Sequence, residues 1–230
     1  MSIKNNVMSI REQIYASAKK SARDPSEIKL IGVTKTVGTS QIKELLAAGI
    51  TEIGENRVQD FLPKYEFFSQ ESEMRPREWH FIGHLQRNKV KYIIDKVDLI
   101  HSVDSIQLAE EINRRAKQAG KIVKILAEVN ISGESSKFGI PPSEILKFAE
   151  NLANMRAVSL CGLMCMAPFV ENPEENRVFF TKMRKLNVDI QTECLYDTRM
   201  VELSMGMSND FSIAIEEGAT IIRIGTALFN

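Results

Sequence analysis

What most constrains the fold of this chain is an alternation. Eight short apolar runs of strand character recur along it, each followed by a polar or glycine-containing turn and then by a stretch of helical periodicity. The runs are Leu30–Thr34, Glu52–Gly54, Trp79–Ile82, Leu99–His101, Lys124–Asn130, Ser159–Met164, Arg199–Leu203 and Thr220–Ile224. Parallel strands need a crossover between them, and a helix is the usual one, so this order predicts a parallel sheet covered by helices. Eight such units close into a (β/α)8 barrel of the TIM type, an α/β fold. The competitor is an open doubly wound sheet. No Gly-x-Gly-x-x-Gly follows the first run, which weakens the dinucleotide-binding version of that fold. No linker or low-complexity segment divides the chain, so residues 1–230 are read as one domain.

The helical stretches are well punctuated. Ser40 is placed to cap the first and Gly49 to close it, while Asp104 with Gln107 has the spacing of a capping box before a helix that Gly120 stops. Asn172-Pro173-Glu174-Glu175 puts a cap, a first-turn proline and two acids in the favoured order. Ser208 or Asn209 starts a short helix that Gly218 ends. Ahead of the first strand, Ile3, Val7, Ile10, Ile14 and Ala18 mark an amphipathic helix over about residues 3 to 22. After the eighth run only Thr226-Ala-Leu-Phe-Asn230 remain, too few for a full eighth helix, and the N-terminal helix is expected to cover that gap.

Charge and composition narrow the partners. Lys+Arg and Asp+Glu number 30 each, which leaves no electrostatic footprint for nucleic acid or an anionic membrane. The basic run Arg87-Asn-Lys89-Val-Lys91 therefore reads as a solvated helix face. No stretch reaches the length of a membrane span, and Met1-Ser-Ile-Lys-Asn-Asn lacks the apolar run of a secretory leader. The odd count of three cysteines (Cys161, Cys165, Cys194) fits free thiols in a reducing cytoplasm, and a cytoplasmic location is expected.

In a barrel of this type the chemistry sits at the carboxyl ends of the strands, and phosphate sites favour the loops after strands seven and eight. Lys35 ends the first strand, and alternation puts it on one face with Ile31 and Val33. So placed, it is either a surface charge at a strand end or an amine held for chemistry. The seventh strand runs into Leu203-Ser204-Met-Gly206-Met-Ser208, where small residues let backbone N–H groups approach an anion ahead of a helix. Arg223 shares a face with Ile221 and Gly225, so its guanidinium is expected to point inward, toward a ligand or toward a salt bridge with Glu202 or Glu55. Closure would bring Arg223 and Gly225-Thr226 beside Lys35, and a nearby cation and partial burial each favour the neutral amine that attack on an aldehyde requires. Amine, phosphate cradle and inward arginine together describe a site for a phosphorylated pyridine aldehyde.

Lys35 in Gly-Val-Thr-Lys-Thr, Gly54-Glu-Asn-Arg-Val-Gln59, the run Trp79 to Lys89, His101-Ser-Val-Asp104, Glu202-Leu-Ser-Met-Gly-Met-Ser208 and Arg223-Ile-Gly-Thr226 occur in that order. The set resembles the pyridoxal phosphate homeostasis proteins, and is similar to the N-terminal barrel of alanine racemase. The resemblance implies a fold-type III barrel without the C-terminal β-domain of the racemases. It implies pyridoxal 5'-phosphate (PLP) held reversibly as a Schiff base on Lys35, with Arg223 facing the pyridine nitrogen. Ser204, Gly225 and Thr226 would hold the phosphate, and Asn56 would lie near the phenolic oxygen. Ser208 and His84 carry over as phosphate-side and ring-side neighbours.

Binder and catalyst can be weighed on the residues. An arginine is a donor only and leaves the pyridine nitrogen unprotonated, so the ring is a weaker electron sink than one paired with a carboxylate. Tyr15, Tyr65, Tyr92 and Tyr196 fall on predicted helices or loops, and none has an evident place opposite Lys35 as a second acid or base. The expectation is a monomeric carrier in intracellular cofactor homeostasis, without strong catalysis, that makes transient contact with PLP-requiring apoenzymes. The alternatives are a small PLP-dependent racemase or related amino-acid enzyme, and an interaction module that has lost the cofactor. His80, His84 and His101 lack metal-ligand spacing, and no metal site is expected. Met164, Met166, Met205 and Met207 read as packing residues near the mouth that could also line a flat ring, and Lys137, in the loop after strand five, reads as a solvated lysine or a spare amine for cofactor transfer.

Overall fold

The computed structural model describes residues 2–134, 137–193 and 200–230. Cys194, Tyr196 and Arg199 lie outside the described residues. Eight parallel strands close in sequence order into a barrel: β1 (Lys29–Val33), β2 (Glu52–Glu55), β3 (Glu78–Phe81), β4 (Leu99–Val103), β5 (Val123–Glu128), β6 (Val158–Met164), β7 (Glu202–Ser204) and β8 (Ile221–Ile224). β8 pairs with β1, with Ile31 opposite Arg223 and Gly32 opposite Ile224, so the two ends of the chain share one edge of the site.

The expected strands all fall within one to three residues of the observed ones, but the small shifts matter. β1 starts and ends one residue earlier than expected, which puts Lys35 in a turn rather than on the strand. β5 stops at Glu128, and the chain leaves the sheet before Asn130. In β7 the strand starts only at Glu202, and it runs on through Ser204.

The helices on the outside are α2 (Thr39–Ala47), α3 (Val58–Ser69), α4 (Val90–Ile93), α5 (Ile106–Gln118), α6 (Ile145–Leu152), α7 (Arg177–Glu193) and α8 (Phe211–Glu216), with α1 (Ile3–Lys20) before the first strand and α9 (Thr226–Phe229) at the end. Three expected caps move. α2 starts at Thr39 with Gly38 as its cap, whose N–H is taken by Gln41 Oε1 at 3.2 Å, so Ser40 lies inside the helix. Ser105, not Asp104, precedes α5, because Asp104 is turned toward His84. Asp210 precedes α8 and accepts the Met207 N–H at 2.7 Å, a role expected of Ser208 or Asn209. Gly49, Gly120 and Gly218 stop their helices at positive φ (85°, 65° and 105°).

α1 occupies the place of an eighth helix. Its apolar stripe, Val7, Ile10, Ile14 and Ala18, is buried, and each such Val or Ile contributes roughly 1.5–3 kcal/mol. Polar links fix the docking: Asn6 Nδ2 donates to the Leu228 and Asn230 carbonyls at 3.1 and 3.0 Å, and Arg23 Nη1 donates to the Ile215 and Ala219 carbonyls at 2.9 and 2.8 Å.

Two cores result. The larger lies between sheet and helices; the smaller fills the barrel axis with Ile31, Leu99, Leu126, Met164 and Ile221. That axial layer is thin, and much of the remaining interior is polar, with His80, His101, Ser204 and Arg223 all buried.

Candidate functional site

Arg223 lies inside the barrel because β8 alternation puts it on the same face as Ile221, and it is 4% exposed. Its Nη1 donates to Ser204 Oγ at 2.5 Å and its Nη2 to the Cys165 carbonyl at 2.8 Å. The two carboxylates offered by the sequence are engaged elsewhere. Glu202 accepts from the Thr220 hydroxyl at 2.6 Å, and Glu55 accepts from Thr34 Oγ1 at 2.5 Å and from Lys64 Nζ at 2.6 Å. With two hydrogens committed, the guanidinium keeps donors for a ligand above it.

Lys35 follows β1 in an exposed turn, the surface placement the sequence left open, so the partial burial that would favour its neutral amine is not found. The strand ends at Val33, Thr34 is still buried, and the exposed turn begins at Lys35. Closure still sets the neighbourhood: a Cβ on Gly225 would lie 3.4 Å from Val33 Cβ, which brings the turns after β1 and β8 together.

The loop after β7 is shaped by Gly206. Its φ of 89° favours glycine, and a Cβ there would come within 2.6 Å of Ala214 Cβ. The loop then offers Ser208, whose Oγ accepts the Ala227 N–H at 3.4 Å and joins the loops after β7 and β8. Thr226 is exposed at the start of α9. Ser204 is drawn away from this cradle. As the last residue of β7 its side chain points into the barrel, where Oγ meets Arg223 and His101 Nδ1 (2.9 Å).

On the other flank of β1, Asn56 follows β2, and its Oδ1 is buried without a hydrogen-bond partner. Its backbone is held close to Gly83, where a Cβ would lie 2.1 Å from the Asn56 carbonyl oxygen. His84 is exposed at the rim; its Nδ1 lies 3.1 Å from Asp104 Oδ2, and Phe138 stacks on the ring at 3.9 Å. Met164 and Met205 are packed inside, whereas Met166 and Met207 are exposed. Lys137 pairs with Glu134 at 2.7 Å.

Glu128 was not singled out by the sequence. It ends β5 in phase with the inward Leu126, is 4% exposed, and its carboxyl is pushed up to about 7 by burial and by Asp104, against the pull of Arg223. The available signal was an acid directly after the apolar run Ile125-Leu-Ala127. Nor did the sequence suggest that His80 and His101 touch, His80 Nδ1 to His101 Nε2 at 3.0 Å. Burial, then His80, Arg223 and Lys29, hold His101 well below the usual imidazole range, so its ring is neutral.

A family profile described as the N-terminal domain of alanine racemase matches residues 6–230, which gives the class of the barrel. Within that class, the chain belongs to the family of pyridoxal phosphate homeostasis proteins. It is 44% identical over 220 residues, 96% of this chain and 94% of the relative, to a "Pyridoxal phosphate homeostasis protein" of Aquifex aeolicus. Among solved structures it is similar to PipY of Synechococcus elongatus, without PLP (TM-score 0.87) and with PLP bound (TM-score 0.86), at 33% identity and with 100% of both chains covered. Alanine racemase of Clostridium difficile shares the fold alone, at 16% identity and a TM-score of 0.68 over 95% of this chain and 55% of that one.

Proposed function

We propose that residues 1–230 form one binding unit that holds PLP reversibly, in cofactor homeostasis rather than in strong catalysis. The observation that carries this reading is the β1–β8 pairing, which sets the end of β1, just before Lys35, against Gly225, with Arg223 inward on β8. The residues fit such a ligand. Asn56 has a buried polar atom without a partner, Arg223 has donors to spare, and Ser208 is joined to the turn of Gly225 and Thr226 through the Ala227 N–H. PLP supplies an aldehyde carbon, which forms a reversible covalent bond with an amine. Lys35 Nζ is the amine at this mouth. Arg223 would donate an N–H to the pyridine nitrogen and has no lone pair with which to accept a proton from it. Ser208 Oγ, Thr226 Oγ1 and the amides of Gly225 and Thr226 bind the phosphate; Asn56 and His84 border the ring. The structure of PipY with PLP bound supports the same ligand here.

Purified protein mixed with PLP is expected to gain a long-wavelength absorbance band that Lys35→Ala removes; a wild-type protein with no band would contradict the reading. We further place its work in the cytoplasm, where Cys161 and Cys165 stay as free thiols, and among PLP-requiring apoenzymes as transient partners. Among the described residues no helix is long and apolar enough to cross a membrane. A monomer is expected by light scattering, and a stable dimer would overturn that part.

A second reading, racemase-type amino-acid chemistry, draws on Glu128, a buried carboxyl at the mouth able to exchange a proton near neutral pH. It requires solvent deuterium to enter the α-position of an amino acid in the wild type and to stop in Glu128→Gln. No exchange in the wild type would remove it.

A further inference from the structure

A column of buried hydrogen bonds runs along the barrel axis beneath Arg223. From the mouth downward it passes from Arg223 Nη1 to Ser204 Oγ (2.5 Å), to His101 Nδ1 (2.9 Å), and from His101 Nε2 to His80 Nδ1 (3.0 Å). His80 Nε2 then lies 3.2 Å from Glu78 Oε2 without a well-directed hydrogen bond, and Lys29 Nζ donates to the same Glu78 oxygen at 3.1 Å. His80, His101 and Ser204 are fully buried. The roles of the ring nitrogens depend on the tautomer, and the two ends of the column favour one arrangement.

At the upper end Arg223 only donates, so Ser204 Oγ accepts from it. At the lower end Glu78 stays ionised: its carboxyl is pulled down to about 2 by His80, with Lys29 assisting against burial, so it only accepts. His101 is neutral and carries a single ring proton, which the register that satisfies both ends of the column puts on Nε2. Then the Ser204 hydroxyl donates to His101 Nδ1, His101 Nε2–H donates to His80 Nδ1, and His80 Nε2–H faces Glu78. The opposite register turns a bare ring nitrogen toward the Glu78 carboxylate and leaves the Ser204 proton without a partner in the column. Burial makes both faults costly.

The geometry points to His101 as a positioning residue for Arg223, which acts by holding the Ser204 hydroxyl turned downward so that its lone pairs face the guanidinium. Without that hold, the hydroxyl rotates and competes with the ligand for the arginine's donors, or leaves the guanidinium tethered only by the Cys165 carbonyl. The role rests on the reading that Arg223 meets the pyridine nitrogen of PLP.

The test uses side chains that keep one nitrogen of the imidazole at a time. His101→Asn places a carbonyl oxygen near the Nδ1 position and can still accept from Ser204. His101→Gln reaches the Nε2 position instead, and His101→Leu has neither. PLP affinity and the absorbance and emission of the bound cofactor are measured for each, alongside Ser204→Ala, with near-ultraviolet circular dichroism to establish folding. PLP is expected to bind about tenfold more weakly to His101→Leu and Ser204→Ala, with a shifted band. His101→Asn should stay within about twofold of the wild type, and His101→Gln should behave like His101→Leu. The double variant His101→Leu/Ser204→Ala should be no weaker than either single one, because both remove the same link. Wild-type affinity and spectrum in Ser204→Ala, or His101→Asn as weak as Ser204→Ala, would overturn the role; this comparison decides even if His101→Leu does not fold. A wild-type protein without any band would instead mark the failure of PLP binding itself.

Discussion

At the scale of single residues, the mouth of the barrel holds one group out of its ordinary state and two backbones unusually close. Glu128 has a folded value of about 7 against an ordinary 4.5. The folded state therefore keeps a proton that the unfolded state has lost, and stability falls as pH rises from about 4.5 to 7. At pH 8 the full penalty applies, about 3 kcal/mol at most. Glu128→Gln is expected to be more stable than the wild type in urea at pH 8 and no more stable at pH 4; equal differences at both would show that the carboxyl is not held protonated. Gly83 is the other case. Its neighbour, the Asn56 carbonyl, leaves no room for a methyl group, so Gly83→Ala should cost about 2–3 kcal/mol in urea and weaken PLP retention by displacing Asn56. A cost below about 0.5 kcal/mol would show that the two loops part easily. Neither feature was legible in the sequence, since each depends on which strand ends meet across the mouth. Lys35 and Arg223 were legible because alternation and motif order mark them locally, yet the exposure of Lys35 was not. A one-residue error in the end of β1 decides it.

At the scale of elements, the α1 helix and the β1–β8 seam carry the site. α1 takes the outer position beside α9, which is four residues long, and its segment is tied to α8 and α9 at the other end of the chain. Ile10 is 3% exposed in that interface, and Ile10→Ala is expected to cost about 2–4 kcal/mol. A thermal melt that Ile10→Ala leaves unmoved would mean that α1 is a peripheral appendage. This arrangement could be read from the sequence, because the stripe of Val7, Ile10 and Ile14 and the short tail after the last strand are both visible there. Caps were harder. Asp104 and Ser208 have the right chemistry for helix starts, but Asp104 is drawn to His84 and Ser208 to the Ala227 amide. Tertiary partners outbid local ones, and a sequence shows only the local offers.

At the scale of the whole molecule, the barrel turns a linear order into a circle. The strand before Lys35 lies near one end of the chain and that of Arg223 near the other, and the two strands are neighbours only because β8 closes on β1. The fold was readable because eight strand-and-helix units leave few ways to bury both faces of the sheet. The polar axis was not. An apolar filling is the ordinary expectation for a barrel interior, and His80, His101, Ser204 and Arg223 meet there only once the register of four strands is set. The measurement that bears most directly on the molecule's function is chemical trapping. The protein is incubated with PLP at a modest excess, reduced with borohydride, digested and mapped by mass spectrometry. A single phosphopyridoxyl group on the peptide containing Lys35 is the expected result. Label confined to Lys137 or scattered over surface lysines, with Lys35 unmodified, would contradict it.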